Sequence, residues 1–400
     1  MRAIKTGIYI LMVFQCVMMS AQVQIGKDIK GKKTKHFFGH DVALSADGQR
    51  MAIGISTTTD KNGSIKIYEN RKGKWKTIGA FEGNKMDGTF GRAIDLTEDG
   101  KRTVLTYFNR DENSGNVSVR IIEENDKKWK QVGQEIVLDK YEDLKELSAS
   151  LAGNGSRVIV CTKRIKWREY SYWEFRTYDL QDGSWIQMGD MMVDKTMVST
   201  GLPKVDFSAD GKRVIIRDKD RVKVYEEKEG HWIQIGKTFY SETEKNEFEL
   251  MDVSISKDGK VIAVSSHNNS MVKTESGIVS IYEEQQGRWL KKGNSIYGTR
   301  FLEHFGVKIS LDYSGDLVVI GNSLNTEERF SEVAIFRYDG SDWRQIGNRI
   351  KGDELYDGTG RGIDISSDGK TLVKSAIHFS RRKKSKGQVK VYDISNLSFK

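Results

Sequence analysis

Proline and cysteine are almost absent from this chain, with one Pro and two Cys among 400 residues. So little proline leaves small scope for rigid linkers between separate domains. The two cysteines, Cys16 and Cys161, exclude a disulfide-stapled scaffold and a cysteine-rich zinc site. Beyond the N-terminal stretch, no apolar run approaches the roughly 18 residues that a membrane-spanning helix needs. Catalytic signatures are missing as well. There is no G-x-S-x-G elbow and no P-loop, and Gly358-Thr359-Gly360-Arg361-Gly362 lacks the βαβ setting of a dinucleotide site. His36 and His40 have a zinc-binding spacing that works only on a helix. On a strand they stand roughly 13 Å apart, too far to share an ion. Asp111-Glu112-Asn113 resembles the start of a calcium loop but lacks the following glycine and the distant glutamate. No metal, cofactor or catalytic residue is assigned on these grounds.

The first 21 residues have the form of a secretory leader. Arg2 and Lys5 precede an apolar stretch from Gly7 to Met19, and Met19-Ser20-Ala21 ends in small residues. Cleavage after Ala21 is expected, giving an exported chain of residues 22–400 bound for the periplasm, the cell surface or the medium. A lipid anchor at Cys16 is the rival, but Gln15 occupies the position where a small residue is required. Formal charge is +9, or +7 once Arg2 and Lys5 leave with the leader. A mildly basic exported surface suits acidic glycans or acidic surface proteins, whereas nucleic acid is not an expected partner. With Cys16 removed, Cys161 is alone, so the fold must be held by its core.

The organising feature is an internal repeat. LSADG, LTEDG, LAGNG, FSADG, ISKDG, LDYSG and ISSDG place glycines at 48, 100, 155, 211, 259, 315 and 369. Steps of 48 to 56 residues separate the seven copies, and none carries a large insertion. Each copy has four strand signals. In the first they are Val42 to Ser45 (strand a), Met51 to Gly54 (b), Ser64 to Tyr68 (c) and Trp75 to Gly79 (d). The Asp-Gly between a and b supplies the positive φ of a tight hairpin turn. Period-two patterning at this density of turns predicts a β-meander. Between c and d, an aromatic or Ile is followed seven residues later by Trp75, Trp129, Trp185, Trp232, Trp289 and Trp343. Repeated at one structural position, these tryptophans are expected to pack blade against blade.

The seventh copy has strands a, b and c, with Phe399 where its Trp should stand. The missing fourth strand is at the other end of the chain, where Val23-Gln24-Ile25-Gly26 matches Ile233-Gln234-Ile235-Gly236. The expected fold is therefore an all-β, seven-bladed propeller of four-stranded blades, closed by residues 22–29 against the blade of residues 360–394. Closure removes the sheet edges that would otherwise invite aggregation.

These copies resemble the WD40-like and FG-GAP-like repeats of secreted bacterial propellers, over essentially residues 22–400. Phe38-Gly39, Phe90-Gly91 and Phe305-Gly306 resemble the FG step. Gly54-Ile55-Ser56 and Gly321-Asn322-Ser323 stand where such repeats often have Gly-Ala-Pro. The acidic calcium loops of integrin-type repeats and a regular Gly-His…Trp-Asp pattern are absent. The resemblance implies a fold and leaves the function open.

Strand alternation sends the short a–b and c–d turns to one end and the variable b–c and d–a connections to the other. Function is expected on the variable end. Three segments stand out there: KRIKWREYSYW at 163–173, HFSRRKKSK at 378–386 and SIYGTRF at 295–301. Trp167, Arg168 and Tyr170, with Arg381 and Arg382, are the candidate ligand contacts, since stacking surfaces and guanidinium groups suit sugar acids or acidic peptides. Trp173 is expected in strand c, and Cys161 as a buried, inert thiol. The favoured expectation is a monomeric, non-enzymatic binding or scaffold protein whose partner is a protein or an acidic glycan. The alternative is a glycan-cleaving hydrolase or lyase with its site at the central channel. Carboxylates and histidines converging on the axis at the strand-a entries would favour the enzyme. An open loop face bearing aromatics, with no titratable groups converging on the axis, would favour the binder.

Overall fold

A computed structural model of the chain describes residues 21–32, 36–57, 63–83, 90–91, 94–110, 115–140, 144–166, 170–194, 204–218, 221–240, 252–323, 330–378 and 386–399. Seven antiparallel sheets are arranged as a β-propeller, and the described residues contain no helix. None of them forms a helix long and apolar enough to cross a membrane. Blade 1 pairs His36–Leu44, Arg50–Thr57, Ser64–Asn70 and Trp75–Glu82 in chain order. Blades 3 (from Leu144–Leu151 to Ser184–Asp194) and 6 (from Lys308–Leu311 to Trp343–Lys351) repeat this order. In blades 2, 4 and 5 the outer strand is split into two pieces, such as Arg288–Lys291 and Ile296–Tyr297 of blade 5. The break follows a glycine at positive φ, Gly133, Gly236 or Gly293.

The closing blade forms as the repeat pattern predicts. Thr359–Ile365, Thr371–Ala376 and Gln388–Asp393 are joined on the outside by Val23–Gln24 and Ile29–Lys30. Val23 pairs with Asp393, and Ile29 with Val389. Ile25 and Ile29 pack into the apolar cluster between this blade and blade 1. Near the other terminus, Phe399 bridges to Ile346 of blade 6. Seven apolar clusters fill the seven blade–blade interfaces.

The repeated tryptophans tie neighbouring blades together. Trp75, Trp129, Trp185, Trp289 and Trp343 donate their indole N–H groups to backbone carbonyls of Ile25, Ile78, Val132, Ile235 and Lys292 in the preceding blade, at 2.6–3.1 Å. Trp232 donates instead to the Thr177 hydroxyl at 2.9 Å. Four of the six are half-buried, and Trp185 and Trp343 are buried. Each therefore combines apolar burial with a satisfied polar edge, as expected of a structural indole.

The S-x-D-G turn has a local cause. Ser45 Oγ donates to Asp47 Oδ1 at 2.7 Å and accepts the backbone N–H of Arg50 at 2.9 Å. Two residues beyond each turn glycine, blades 1 to 4 carry Arg50, Arg102, Arg157 and Arg213. Each pairs with an acidic side chain of its own blade and donates to the turn-glycine carbonyl of the next blade, at 2.8–3.3 Å. Blades 5 to 7 have Val261, Leu317 and Thr371 there, packed against the turn glycines instead.

The a–b turns also close on one another around the axis. Ala46 N donates to Glu98 O, Glu98 N to Gly153 O, Asn154 N to Ala209 O and Ala209 N to Lys257 O. Asp258 N then donates to Tyr313 O, Tyr313 N to Ser367 O and Asp368 N back to Ala46 O. This circle of seven backbone hydrogen bonds surrounds the axis at the a–b-turn end.

Candidate functional site

The innermost strands surround a central cavity of about 340 Å³. Alternation along strand a turns every second residue toward it, in two tiers roughly 7 Å apart along the strand. The lower tier, nearer the a–b turns, is Ala43, Asp95, Ser150, Asp206, Ser254, Ser310 and Asp364. In the upper tier, Asp41, Ser148, Lys204, Asp252 and Lys308 line the cavity, with His40 beside Asp41. Lys257 reaches it from the blade 5 turn.

The lower tier satisfies the free edges of the innermost strands. Asp95 Oδ2 accepts Leu151 N at 2.9 Å and Ser150 Oγ at 2.8 Å. Asp206 Oδ2 accepts Ile255 N at 3.0 Å and Ser254 Oγ at 3.2 Å. Asp364 accepts Leu44 N at 2.7 Å and Ser310 Oγ at 2.7 Å. In each case a side chain of one blade caps a backbone donor of the next, which would otherwise be an unpaired buried amide. The upper tier does the same at two places, Asp41 with Ile94 N at 3.2 Å and Asp252 with Ile309 N at 2.9 Å.

Burial raises the Asp95 carboxyl to about 6 and also raises that of Asp364. Lys257, 3.9 Å from Asp206, is the counter-ion of this lower ring, and the surrounding carboxylates hold its ammonium charged. Above it, Lys308 lies 3.7 Å from Asp41 and is held charged by Asp252 and Asp41. Lys204 is shifted the other way, chiefly by repulsion from Lys308. Carboxylates and a histidine thus do converge on the axis, but the carboxylates already serve as hydrogen-bond acceptors. This ring lies outside the residues singled out from the sequence. Its signal was available as Asp or Ser five residues before the turn glycine in every copy but the first, where Ala43 stands.

At the variable-loop end, described loops of blades 5 to 7 are tied to one another. Leu302 N donates to Thr274 O and His304 N to Glu275 O, both at 3.0 Å, and Gly352 N donates to Ser331 O at 2.8 Å. Beneath these loops Glu303 is fully buried. It accepts Thr299 N at 2.8 Å and Arg300 N at 3.0 Å, and pairs with Arg349. Arg300 in turn pairs with buried Glu332 at 2.8 Å. Glu275, Leu302, His304 and Tyr356 all have positive φ without being glycine, strain that persists only where the surroundings enforce it. His304 Nε2 lies 2.7 Å from Glu275 Oε2, and its ring meets that of His267 edge-on. Burial and the neighbouring His304 lower the pKa of His267 to about 4. On this scaffold Met271 (61% exposed), Val272, Phe301 (54%), Phe330 and Leu355 face solvent.

Of the candidate contacts, Trp167, Arg168, Arg381 and Arg382 lie outside the described residues. Tyr170 begins strand c of blade 3 and pairs with Lys166. Of the segment 163–173, expected as a loop, residues 163–166 and 170–173 are therefore paired strand, with Lys163 opposite Trp173. The β-branched and aromatic residues of these strands carry the pairing outward. Trp173 is buried in strand c as expected. Cys161 is also buried, and burial pushes its thiol well above the usual range. His36 and His40 share one strand. Among the described residues, no three His, Cys, Asp or Glu side chains are grouped so as to hold a metal ion.

The sequence matches no protein-family model. It matches no curated protein either. Solved structures resemble it in fold. An oligogalacturonate lyase in complex with manganese is 10% identical, with 94% of this chain and 98% of that chain covered and a TM-score of 0.54. A putative 6-phosphogluconolactonase from Bacteroides uniformis is 16% identical, with 81% and 88% covered and a TM-score of 0.53. The β-propeller domain of the Trilobed protease from Pyrococcus furiosus, described as having an open velcro topology, is 12% identical, with 86% and 91% covered and a TM-score of 0.51. At these identities the likeness is one of architecture.

Proposed function

We propose that this chain is an exported, non-enzymatic propeller that binds a protein or an acidic glycan of the cell surface on its variable-loop face. One observation carries the reading. Met271, Val272, Phe301, Phe330 and Leu355 are exposed on loops that backbone hydrogen bonds and a buried Glu303–Arg349 network hold in place. Apolar side chains held out by a stiff polar scaffold are typical of contact surfaces. Trp167, Arg168 and Tyr170, with Arg381 and Arg382, belong in sequence to b–c connections and are proposed as the rim of this face. The leader at residues 1–21 supports export.

The test is a glycan-array and surface-protein binding screen on residues 22–400, repeated with Phe301→Asp and Met271→Asp. Loss of about tenfold or more in affinity for the partner found, with unchanged melting, is expected. Wild-type binding by both variants would remove the site.

A glycan-cleaving activity is the second reading. It rests on Asp95, whose carboxyl is poised to about 6 on the channel wall. The propeller folds of the lyase and lactonase named above are compatible with it. New reducing ends or unsaturated products from acidic glycans, lost in Asp95→Asn, would establish it.

A further inference from the structure

We infer that the turn end of blades 1 and 2 carries a row of lysines that binds a linear acidic polysaccharide. This surface lies at the opposite end of the propeller from the loop face proposed above, and does not depend on it.

The repeat supplies its own control, because equivalent positions are filled differently from blade to blade. The residue after the repeated tryptophan is Lys76 in blade 1 and Lys130 in blade 2, but Ile186, Ile233 and Leu290 in blades 3 to 5, and all five side chains are exposed. Blade 6 has Arg344 there, paired with Asp339 of its own turn. The residue before the tryptophan is Lys74 or Lys128 in blades 1 and 2, against Ser184 and His231 in blades 3 and 4. Three before it, at positive φ, blade 1 has Lys72 where blades 3 and 4 have Asp182 and Glu229. Blade 2 has Asp126 at that position, followed by Lys127. Counted over both turns and the turn arginine of each blade, residues 46–50, 69–76, 98–102 and 123–130 hold ten cations and seven carboxylates. The equivalent residues of blades 3 and 4, 153–157, 179–186, 209–213 and 226–233, hold four cations and six carboxylates. Glu69 and Glu124 are already paired with Arg50, and Glu123 with Arg102, so the excess belongs to the lysines at the tips.

The two turns stand side by side. Trp129 of blade 2 donates to the Ile78 carbonyl of blade 1 at 2.9 Å, and Arg50 of blade 1 reaches Glu124 of blade 2 at 3.0 Å. On the other flank Gly26 packs against the turn glycine Gly73, so exposed Lys27 extends the row. The cations thus run along the rim and cross the blade boundaries. A flat anionic membrane would meet every turn tip, including Asp182, Glu229 and Asp339, whereas a single chain meets the basic sector alone. Lysine offers a point charge without the fork that selects one carboxylate geometry. Neither turn bears an exposed large apolar side chain, so nothing there matches the apolar groups of a peptide. A polymer of uronate sugars, with a carboxylate on each unit and hydroxyls between, has the matching composition.

The experiment measures binding of residues 22–400 to immobilised alginate, a polyuronate, beside neutral dextran, poly-glutamate and phosphatidylglycerol vesicles. Binding to alginate and not to dextran is expected, weakening about tenfold or more between roughly 50 and 500 mM salt. Lys76→Glu with Lys130→Glu should weaken alginate binding about tenfold or more. Lys212→Glu with Lys260→Glu, which changes the net charge equally on exposed turns of blades 4 and 5, should leave it within about twofold. Thermal melts check that both variants fold, and Lys76→Gln with Lys130→Gln replaces the first pair if needed. Equal losses in the two pairs would reduce the effect to net charge and overturn the inference. Absence of alginate binding, or tighter binding of poly-glutamate or of the vesicles, would overturn it too. Phe301→Asp should bind alginate as the wild type does, which separates this surface from the loop-face reading; loss in that variant would move the polymer to the loop face.

Discussion

Trp75 donates its indole N–H to the backbone carbonyl of Ile25 at 3.1 Å, so the first complete blade grips the strand that closes the ring. Blade 1 and the N-terminal segment are thereby one mechanical joint, made of an indole, a carbonyl and the apolar cluster around Ile25 and Ile29.

Removing that joint should be expensive. A chain starting at Gly31 loses the pairing of Val23–Gln24 and Ile29–Lys30 and bares the edge of Gln388–Asp393. Partial burial of Ile25 and Ile29 alone stabilises by on the order of 2 kcal/mol. Lower melting and self-association are expected, read by calorimetry and size-exclusion chromatography. Melting equal to that of residues 22–400 would show that closure lies elsewhere.

The tryptophans separate area from polarity. Trp185→Ala should destabilise by about 3–5 kcal/mol, because this side chain is 2% exposed between blades 2 and 3. Trp185→Phe keeps most of the apolar contact but leaves the Val132 carbonyl without its indole donor, for about 1–2 kcal/mol. A phenylalanine variant as stable as the wild type in urea denaturation would mean that the hydrogen bond contributes nothing.

The arginines of blades 1 to 4 offer a test of geometry. Arg157 binds Asp179 through two nitrogens at 2.6 and 2.8 Å, and the Gly211 carbonyl of blade 4 through a third at 2.9 Å. Lysine keeps the charge but not the fork. Arg157→Ala is expected to cost about 2 kcal/mol, with Arg157→Lys recovering less than half. Full recovery by lysine would reduce the interaction to charge alone.

Acid should act on two groups in opposite directions. Asp95 has its carboxyl raised to about 6 in the folded chain, so between pH 4 and 6 the folded state holds the extra proton. Its contribution to stability falls as pH rises through that window. His267 is lowered to about 4, with His304, Glu275, Arg361 and Arg217 around it. Here the unfolded state holds the extra proton, and stability falls as pH drops from about 6.5 toward 4. Asp95 lines the channel cavity, so its share is discounted to about 2 kcal/mol; that of His267 is similar. The wild type should therefore show a shallow profile from pH 6 to 4. Asp95→Asn should reveal a steep acid loss, and His267→Gln the reverse slope. Parallel melting curves for all three across this range would contradict the assignment.

Much of the architecture was legible in the chain because it repeats. The turn glycines need positive φ, the tryptophans sit at a fixed distance from strand c, and Gln24-Ile25-Gly26 recurs as Gln234-Ile235-Gly236. The channel was harder to see. Its residues are single positions on strand a, and their meaning depends on seven strands meeting at one axis. Lys204 and Lys308 look like ordinary surface lysines until alternation turns them inward. The exposed apolar residues were concealed differently, since Phe301 and Met271 are far apart in sequence and their loops are joined only by backbone ties such as Leu302 to Thr274. Strand length was misjudged in blade 3, where Lys163–Lys166 and Tyr170–Trp173 continue the ladder that composition had suggested was loop.

The hydrogen bonds joining the a–b turns make the floor of the propeller a continuous hoop, from Ala46 through Tyr313 to Asp368 and back. A hoop cannot widen at one place without opening a link, and every link is a backbone amide whose alternative partner is water alone. Strain on any one turn is accordingly shared by all seven blades, so the turn end of the propeller should yield as a unit and not blade by blade.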